Sequence, residues 1–130
     1  MAQREIEVIL TRQLASYLAM PIFIVDGAGT LVFYNESAES ILGQRFEETG
    51  EMPAAEWSSR FRIVGDDGTP IPPERLPLMI ALQEKRPAHT LFWILGLDNV
   101  RRHIETTAIP LIGQAGRYLG ALAIFWEVHD

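Results

Sequence analysis

The chain has 130 residues, 48% of them apolar and 22% charged, the balance of one globular domain with a single core. Eleven basic against seventeen acidic residues leave a net charge of −6, which speaks against nucleic acid or an anionic membrane as partner, since both demand a positive stripe. There is no cysteine, which excludes disulfides, thiolate catalysis and cysteine metal sites and agrees with a reducing compartment.

Residues from about Ala2 to Ala19 carry an amphipathic helical pattern. Ile6, Ile9, Leu10, Leu14, Tyr17 and Leu18 follow the i, i+3, i+4 spacing, while Arg4, Glu5, Arg12 and Gln13 fall largely elsewhere. Pro21 ends it. The opening MAQREIEVIL has no signal-peptide pattern, and no apolar run reaches the ~20 residues of a membrane span, so the expected location is cytoplasmic. The expected organisation is a helix over 1–20 that caps or dimerises, followed by one domain over 21–130.

The apolar run Ile22–Val25 is bounded by the turn Asp26-Gly27-Ala28-Gly29, and a second β-prone run follows at Leu31–Tyr34, which reads as a hairpin. Asn35 is placed to cap a helix from Glu36. Ala38, Ile41 and Leu42 form that helix's apolar face, and Gly43 stands where a left-handed cap is wanted. Gln44 to Met52 reads as loop. Pro53 can open a short helix over Ala54–Arg60, Phe61–Val64 is a short extended piece, and Gly65-Asp66-Asp67-Gly68 is a turn. A helix carrying Leu76, Met79, Ile80 and Gln83 begins near Pro73, with Pro77 tolerated in its first turn.

Three strands close the chain, at Thr90–Leu95, Val100–Pro110 and Tyr118–Val128. If Asp98-Asn99 is a two-residue loop, Trp93 lies opposite Ile104. The last strand is apolar on both faces, with Leu119, Ala121, Ala123 and Phe125 on one and Gly120, Leu122, Ile124 and Trp126 on the other. Such a strand needs cover on both sides.

Three blocks together resemble the PAS (Per-ARNT-Sim) sensor family of bacterial signalling proteins. They are the hairpin, Asn and helix of Pro21–Gly43, the segment DGTPIPPERLPLMIALQEKRP from Asp67 to Pro87, and the strands RRHIETTAIPL and GQAGRYLGALAIFWEV between Arg101 and Val128. The resemblance implies an α+β fold whose five-stranded antiparallel sheet runs in the order 2-1-5-4-3, with short helices between strands two and three. In multidomain relatives the last strand runs into an Asp-Ile-Thr-like tether to an effector. Glu127-Val128-His129 stands in that place here, which leaves open whether the module belongs to a longer sensor or works alone.

Catalytic chemistry finds little support. Asp66-Asp67 sit in a wet turn, no serine lies on a strand-to-helix elbow, and Asp26–Thr30 lacks the lysine and the helix of a phosphate loop. His89, His103 and His129 have no metal-ligand spacing, and no metal site is expected. His89 is the inward candidate among them, though it follows Pro87 and fits a haem ligand poorly. The absent cysteine rules out a flavin–thiol adduct. What remains is an apolar cavity expected to be lined by Tyr34, Trp57, Leu76, Met79, Ile80, His89, Trp93 and Ile104, empty or holding a small or lipid-like molecule.

The functional expectation is a non-enzymatic PAS signalling module, passing its state to an effector domain or signalling protein. It would homodimerise through Ile6, Ile9, Leu10, Leu14 and Tyr17 of the helix and through Leu119, Ala121, Ala123 and Phe125 of the last strand. Two alternatives stand beside it: an isomerase-like pocket enzyme using Glu105, and a ligand-free protein-interaction domain.

Overall fold

The computed structural model describes residues 6–17, 19–96 and 98–128. Leu18 and His129 lie outside the described residues, as do the side chains of Ile6, Arg12 and Tyr17. In chain order the elements are α1 (Ile6–Tyr17), β1 (Ile22–Asp26), β2 (Leu31–Tyr34), α2 (Glu36–Leu42), α3 (Phe46–Thr49), α4 (Ala54–Arg60) and β3 (Ile63–Val64). A single 3-10 turn at Pro73–Arg75 leads into α5 (Pro77–Glu84), and then come β4 (Ala88–Leu95), β5 (Arg101–Ile112) and β6 (Tyr118–Glu127).

Local chemistry sets most of these boundaries. Asp26 Oδ1 accepts from the amides of Ala28 and Thr30, both at 3.0 Å, and so closes the first hairpin. Asn35 caps α2 by accepting from Ala38 N at 3.2 Å, and Gly43 ends that helix with φ of 86°, as a left-handed cap requires. The helix expected from Pro73 is broken at Leu76. Leu76 is extended, with ψ of 144°, because the residue before a proline avoids the helical region, and Pro77 then opens α5 as its first residue. The stretch 44–52 is not all loop. Phe46 plugs into the core as α3, and Met52 pairs with Leu31 through backbone bonds of 2.7 and 3.2 Å.

All strands are antiparallel, in the order β2-β1-β6-β5-β4-β3. Five of them reproduce the expected 2-1-5-4-3 arrangement, and the sixth is a correction. Ile63 and Val64 pair with Ile94 and Trp93, and Leu95 N donates to Arg62 O at 3.1 Å. The open edge of β4 thus takes up the short extended piece.

Two further expectations are overturned by strand geometry. The β4–β5 loop spans Gly96 to Val100, with Gly96 N donating to Val100 O at 3.2 Å, so Trp93 faces His103 and Phe92 faces Ile104. A slip of one residue sends alternate side chains to the other face. On β6, Ala121, Ala123 and Phe125 are buried in the main core under the helices, while Leu122 and Ile124 belong to a separate outer cluster. The face assigned to dimerisation is therefore the inner one. Leu119 alone of that set lies on the outer side, because Gly120 adopts a φ of 153° and the β5–β6 register shifts beside it.

The inner core joins Phe23, Val25, Tyr34, Trp57, Phe61, Phe92, Ile94, Ile104 and Phe125 under α2, α4 and α5. Small residues Ala81, Ala108, Ala121 and Ala123, all buried, let α5 lie close on β5 and β6. The outer cluster is smaller. Val8 of α1 covers Ile22, Ile24, Val32 and Leu122.

Candidate functional site

Between the concave sheet face and the helices lies a cavity of about 50 Å³. Its wall is Phe23 from β1, Leu42 from α2, Trp57 from α4, then Phe61, Ile63, Leu76, Pro77 and Leu78, with Phe92, Ile94, Thr106, Ala123 and Phe125 from the sheet. Of the eight residues expected there, Trp57 and Leu76 line it. Tyr34, Met79 and Ile104 are buried in the surrounding core without lining it, and Ile80 is half-buried outside that cluster.

His89 and Trp93 lie on the opposite face of the sheet, which the one-residue register shift explains. His89 Nε2 stands 2.6 Å from Glu105 Oε2, and both side chains reach solvent. Trp93 stacks on His103 with ring centroids 4.4 Å apart, lies 4.3 Å from the Arg101 guanidinium and donates from Nε1 to Asp66 Oδ1 at 3.0 Å. Glu105, the acid of the isomerase alternative, therefore points away from the cavity. Among the described residues no group of three His, Asp or Glu could hold a metal ion.

The polar groups nearest the cavity are already engaged, with one exception. Trp57 Nε1 donates to Gly29 O at 2.9 Å, which fixes the indole edge-on to Phe23 at a centroid distance of 5.2 Å. The Tyr34 hydroxyl donates to Gln44 O at 2.7 Å. Thr106 is the exception: it is 4% exposed, and its Oγ1 has no hydrogen-bond partner among the described residues. Thr106 lies two residues beyond Ile104 and so shares its inward face, a period-two signal that the sequence carries.

Burial pushes the Tyr34 phenol above its ordinary value of 10.0, with the Thr49 hydrogen bond opposing. A raised value in the fold means that the folded state keeps its proton after the unfolded chain has lost it. The stabilisation is then complete below pH 10 and is lost as pH rises beyond it. We expect Tyr34→Phe to flatten the fall in stability above pH 10 seen in denaturant titrations; an unchanged slope would contradict this.

A half-buried cation ties the cavity wall to the end of the sheet. Arg102, 16% exposed at its side chain, donates to Ile41 O at 3.1 Å and grips the Asp98 carboxylate at 3.3 and 3.0 Å. Its Nε lies 3.9 Å from Glu127, the last residue of β6. The Arg102 hydrogen bond holds the Asp98 carboxyl below its usual range. Leu42 of the cavity wall is thus one residue from a group that reaches the chain's final strand.

The outer surface is unevenly covered. Val8 of α1 is 5% exposed against the sheet, whereas Leu10 and Leu14 are 57% and 61% exposed. The 100° helical step puts Val8 nearly opposite the Leu10–Leu14 stripe, so the helix shows its main apolar stripe outward. Ile9 is exposed with them. On the sheet, Leu91, Ile109, Ile112 and Tyr118 are also exposed. No described helix is long and apolar enough to cross a membrane.

Comparison with known proteins follows the fold. The family model described as PAS fold matches residues 16–130. Among solved structures, the PAS domain of Bordetella pertussis BvgS is similar at 14% identity and a TM-score of 0.65, covering 95% of this chain and 87% of that one. The Rhodobacter sphaeroides LOV protein gives 15% and 0.73, over 96% and 69%. The PAS domain of nitrogen regulation protein NR(II) from Vibrio parahaemolyticus gives 18% and 0.64, over 92% and 98%. No curated protein matches by sequence.

Proposed function

Since the chain belongs to the PAS family of sensory and signalling domains, we propose that it acts as a non-enzymatic, cytoplasmic signalling module that pairs with a second copy of itself. The observation that carries this reading is the outward apolar stripe of α1, with Leu10 and Leu14 turned away from their own sheet. Leu91, Ile109, Ile112 and Tyr118 add apolar surface on the sheet. Fully burying one large apolar side chain stabilises by about 1.5–3 kcal/mol, so several half-exposed ones favour association. The interface of this proposal keeps Ile6, Ile9, Leu10, Leu14, Tyr17 and Leu119. It replaces Ala121, Ala123 and Phe125, which are committed to the core, by the exposed sheet residues.

The cavity is the natural receiver of a signal and Arg102 the natural relay. A molecule pressing on Leu42 would move the α2 carbonyl that Arg102 holds, and with it the Asp98 and Glu127 contacts at the end of β6. An effector domain or signalling protein would read that strand end and the dimer together. The volume of about 50 Å³ argues against haem, flavin or a lipid as the occupant.

The test is a visible absorbance spectrum with native mass on the purified protein. The reading expects no chromophore band and the mass of two chains. A haem or flavin band would overturn the small-ligand part, and a single-chain mass the pairing.

A further inference from the structure

We infer that the core cavity selects a small molecule with no hydrogen-bonding group at all, a dissolved apolar gas or a two-carbon hydrocarbon. This deepens the reading that the cavity receives a ligand and rests on it. Trp57 and Thr106 both stand in the wall, yet no polar atom of the described residues opens onto the space. The Trp57 N–H is turned to Gly29 O at 2.9 Å, and Thr106 shows the cavity only carbon. Water needs about two to four polar partners and finds none here, so it does not compete with an apolar occupant. A charge would lie without a counter-ion, and a hydroxyl or carbonyl would give up its bonds to water for no replacement.

Size narrows the class further. An apolar cavity of ~150 Å³ holds benzene, so one of about 50 Å³ suits roughly two non-hydrogen atoms. Dioxygen, ethane and ethylene meet both conditions. Every wall residue is buried except Ile63, which is half-buried on the two-residue edge strand β3, so β3 is the thin side of the wall. Leu42, Trp57 and Leu78 bring in α2, α4 and α5, so even an occupant this small touches three helices and the sheet at once. Ala123 is the smallest residue of the wall, and two further carbons on its Cβ would fill what the cavity holds.

The probes are ethane and dioxygen, which are apolar, and methanol, which matches ethane in heavy atoms but carries a hydroxyl. Binding is read from the NMR shifts of the Leu42, Leu78 and Ile94 methyl groups, and for dioxygen also from the faster relaxation its unpaired electrons cause. Ethane and dioxygen should both reach these methyls in the native chain, the tighter of the two marking hydrocarbon or gas as the source. Methanol should bind at least about tenfold more weakly than ethane, the loss expected for burying one hydroxyl unpaired. A123V, which fills the space, should lose both apolar probes. Leu42→Phe, which fills it from α2, serves if A123V does not fold. Methanol binding as tightly as ethane or more so would overturn the apolar class while leaving the cavity a binding site. Ethane bound alike by the native chain and the filled variant would put it elsewhere and overturn the assignment to this cavity. Failure of all three probes to affect any of these methyls in the native chain would overturn the class and the receptive cavity together.

Discussion

Gly120→Ala is expected to destabilise the domain by about 4 kcal/mol or more, a large share of the total stability of a domain this size. A Cβ at this position would stand 2.1 Å from Val25 O and 2.9 Å from Asp26 Cα. Both obstacles are backbone, so no side chain can swing aside. Gly120 also holds a φ of 153°, which side-chain-bearing residues rarely adopt. The pairing at stake is the one between β1 and β6, where Gly120 faces Asp26 and the ladder continues to Ile22 and Ile124. Relieving the clash would part these central strands and open both the inner core and the outer cluster. Urea denaturation of the variant measures this directly, and a loss below about 1 kcal/mol would show that the two backbones do not approach as described.

Asn35→Ala is expected to cost about 3 kcal/mol. The residue is 1% exposed, and its side chain is bonded to three different segments. Its Oδ1 accepts from Ala38 N at 3.2 Å and from Ile22 N at 3.0 Å, and its Nδ2 donates to Met20 O at 2.8 Å. Losing a helix cap costs about 1 kcal/mol, and stranding the buried Ile22 amide about 1–3 kcal/mol more. Asn35→Asp separates the parts. It keeps the acceptor but turns a carboxylate oxygen toward the Met20 carbonyl, which removes the tie to the segment joining α1 and β1. The Ile22 amide should lose hydrogen-exchange protection in the alanine variant well before the β5 amides do. Equal protection loss throughout, or a cost under about 1 kcal/mol, would contradict the role given to Asn35.

The parts of the fold that were legible in the sequence are those fixed by neighbours in the chain. Asn35, Gly43, the Asp26 turn and the helix at Ala54–Arg60 each follow from a side chain and the few residues beside it. The strand order, by contrast, came through resemblance to a family rather than from local pattern. What was not legible depended on tertiary contacts. The β4–β5 turn is set by Asp98, which accepts from Val100 N at 3.1 Å and is held by Arg102, and by Gly96 lying against the end of α2. Those contacts move the turn from two residues to five and carry His89 and Trp93 to the outer face, where Glu105 already stands as the neighbour of inward Ile104. The two faces of β6 were seen to be equally apolar, and only the helices above Ala121 and Ala123 decide which one is inside.

In α1 the helical spacing marks Ile9, Leu10 and Leu14 as the apolar stripe, yet the residue that docks the helix is Val8, on the other side. A helix held to its own sheet by its weaker side has its stronger side to offer. That is the physical basis for pairing, with the cavity and Arg102 as the means of changing it.

Sedimentation equilibrium from micromolar to millimolar protein, on the native chain and on Leu14→Glu, tests this most directly. Leu14 is exposed, so glutamate there should leave the fold of each chain, read by circular dichroism, unchanged, while a carboxylate pressed into an apolar interface should abolish association. The expected result is a dimer for the native chain and a monomer for the variant. A native chain that stays monomeric at millimolar concentration, or a variant that pairs as tightly as the native chain, would contradict it.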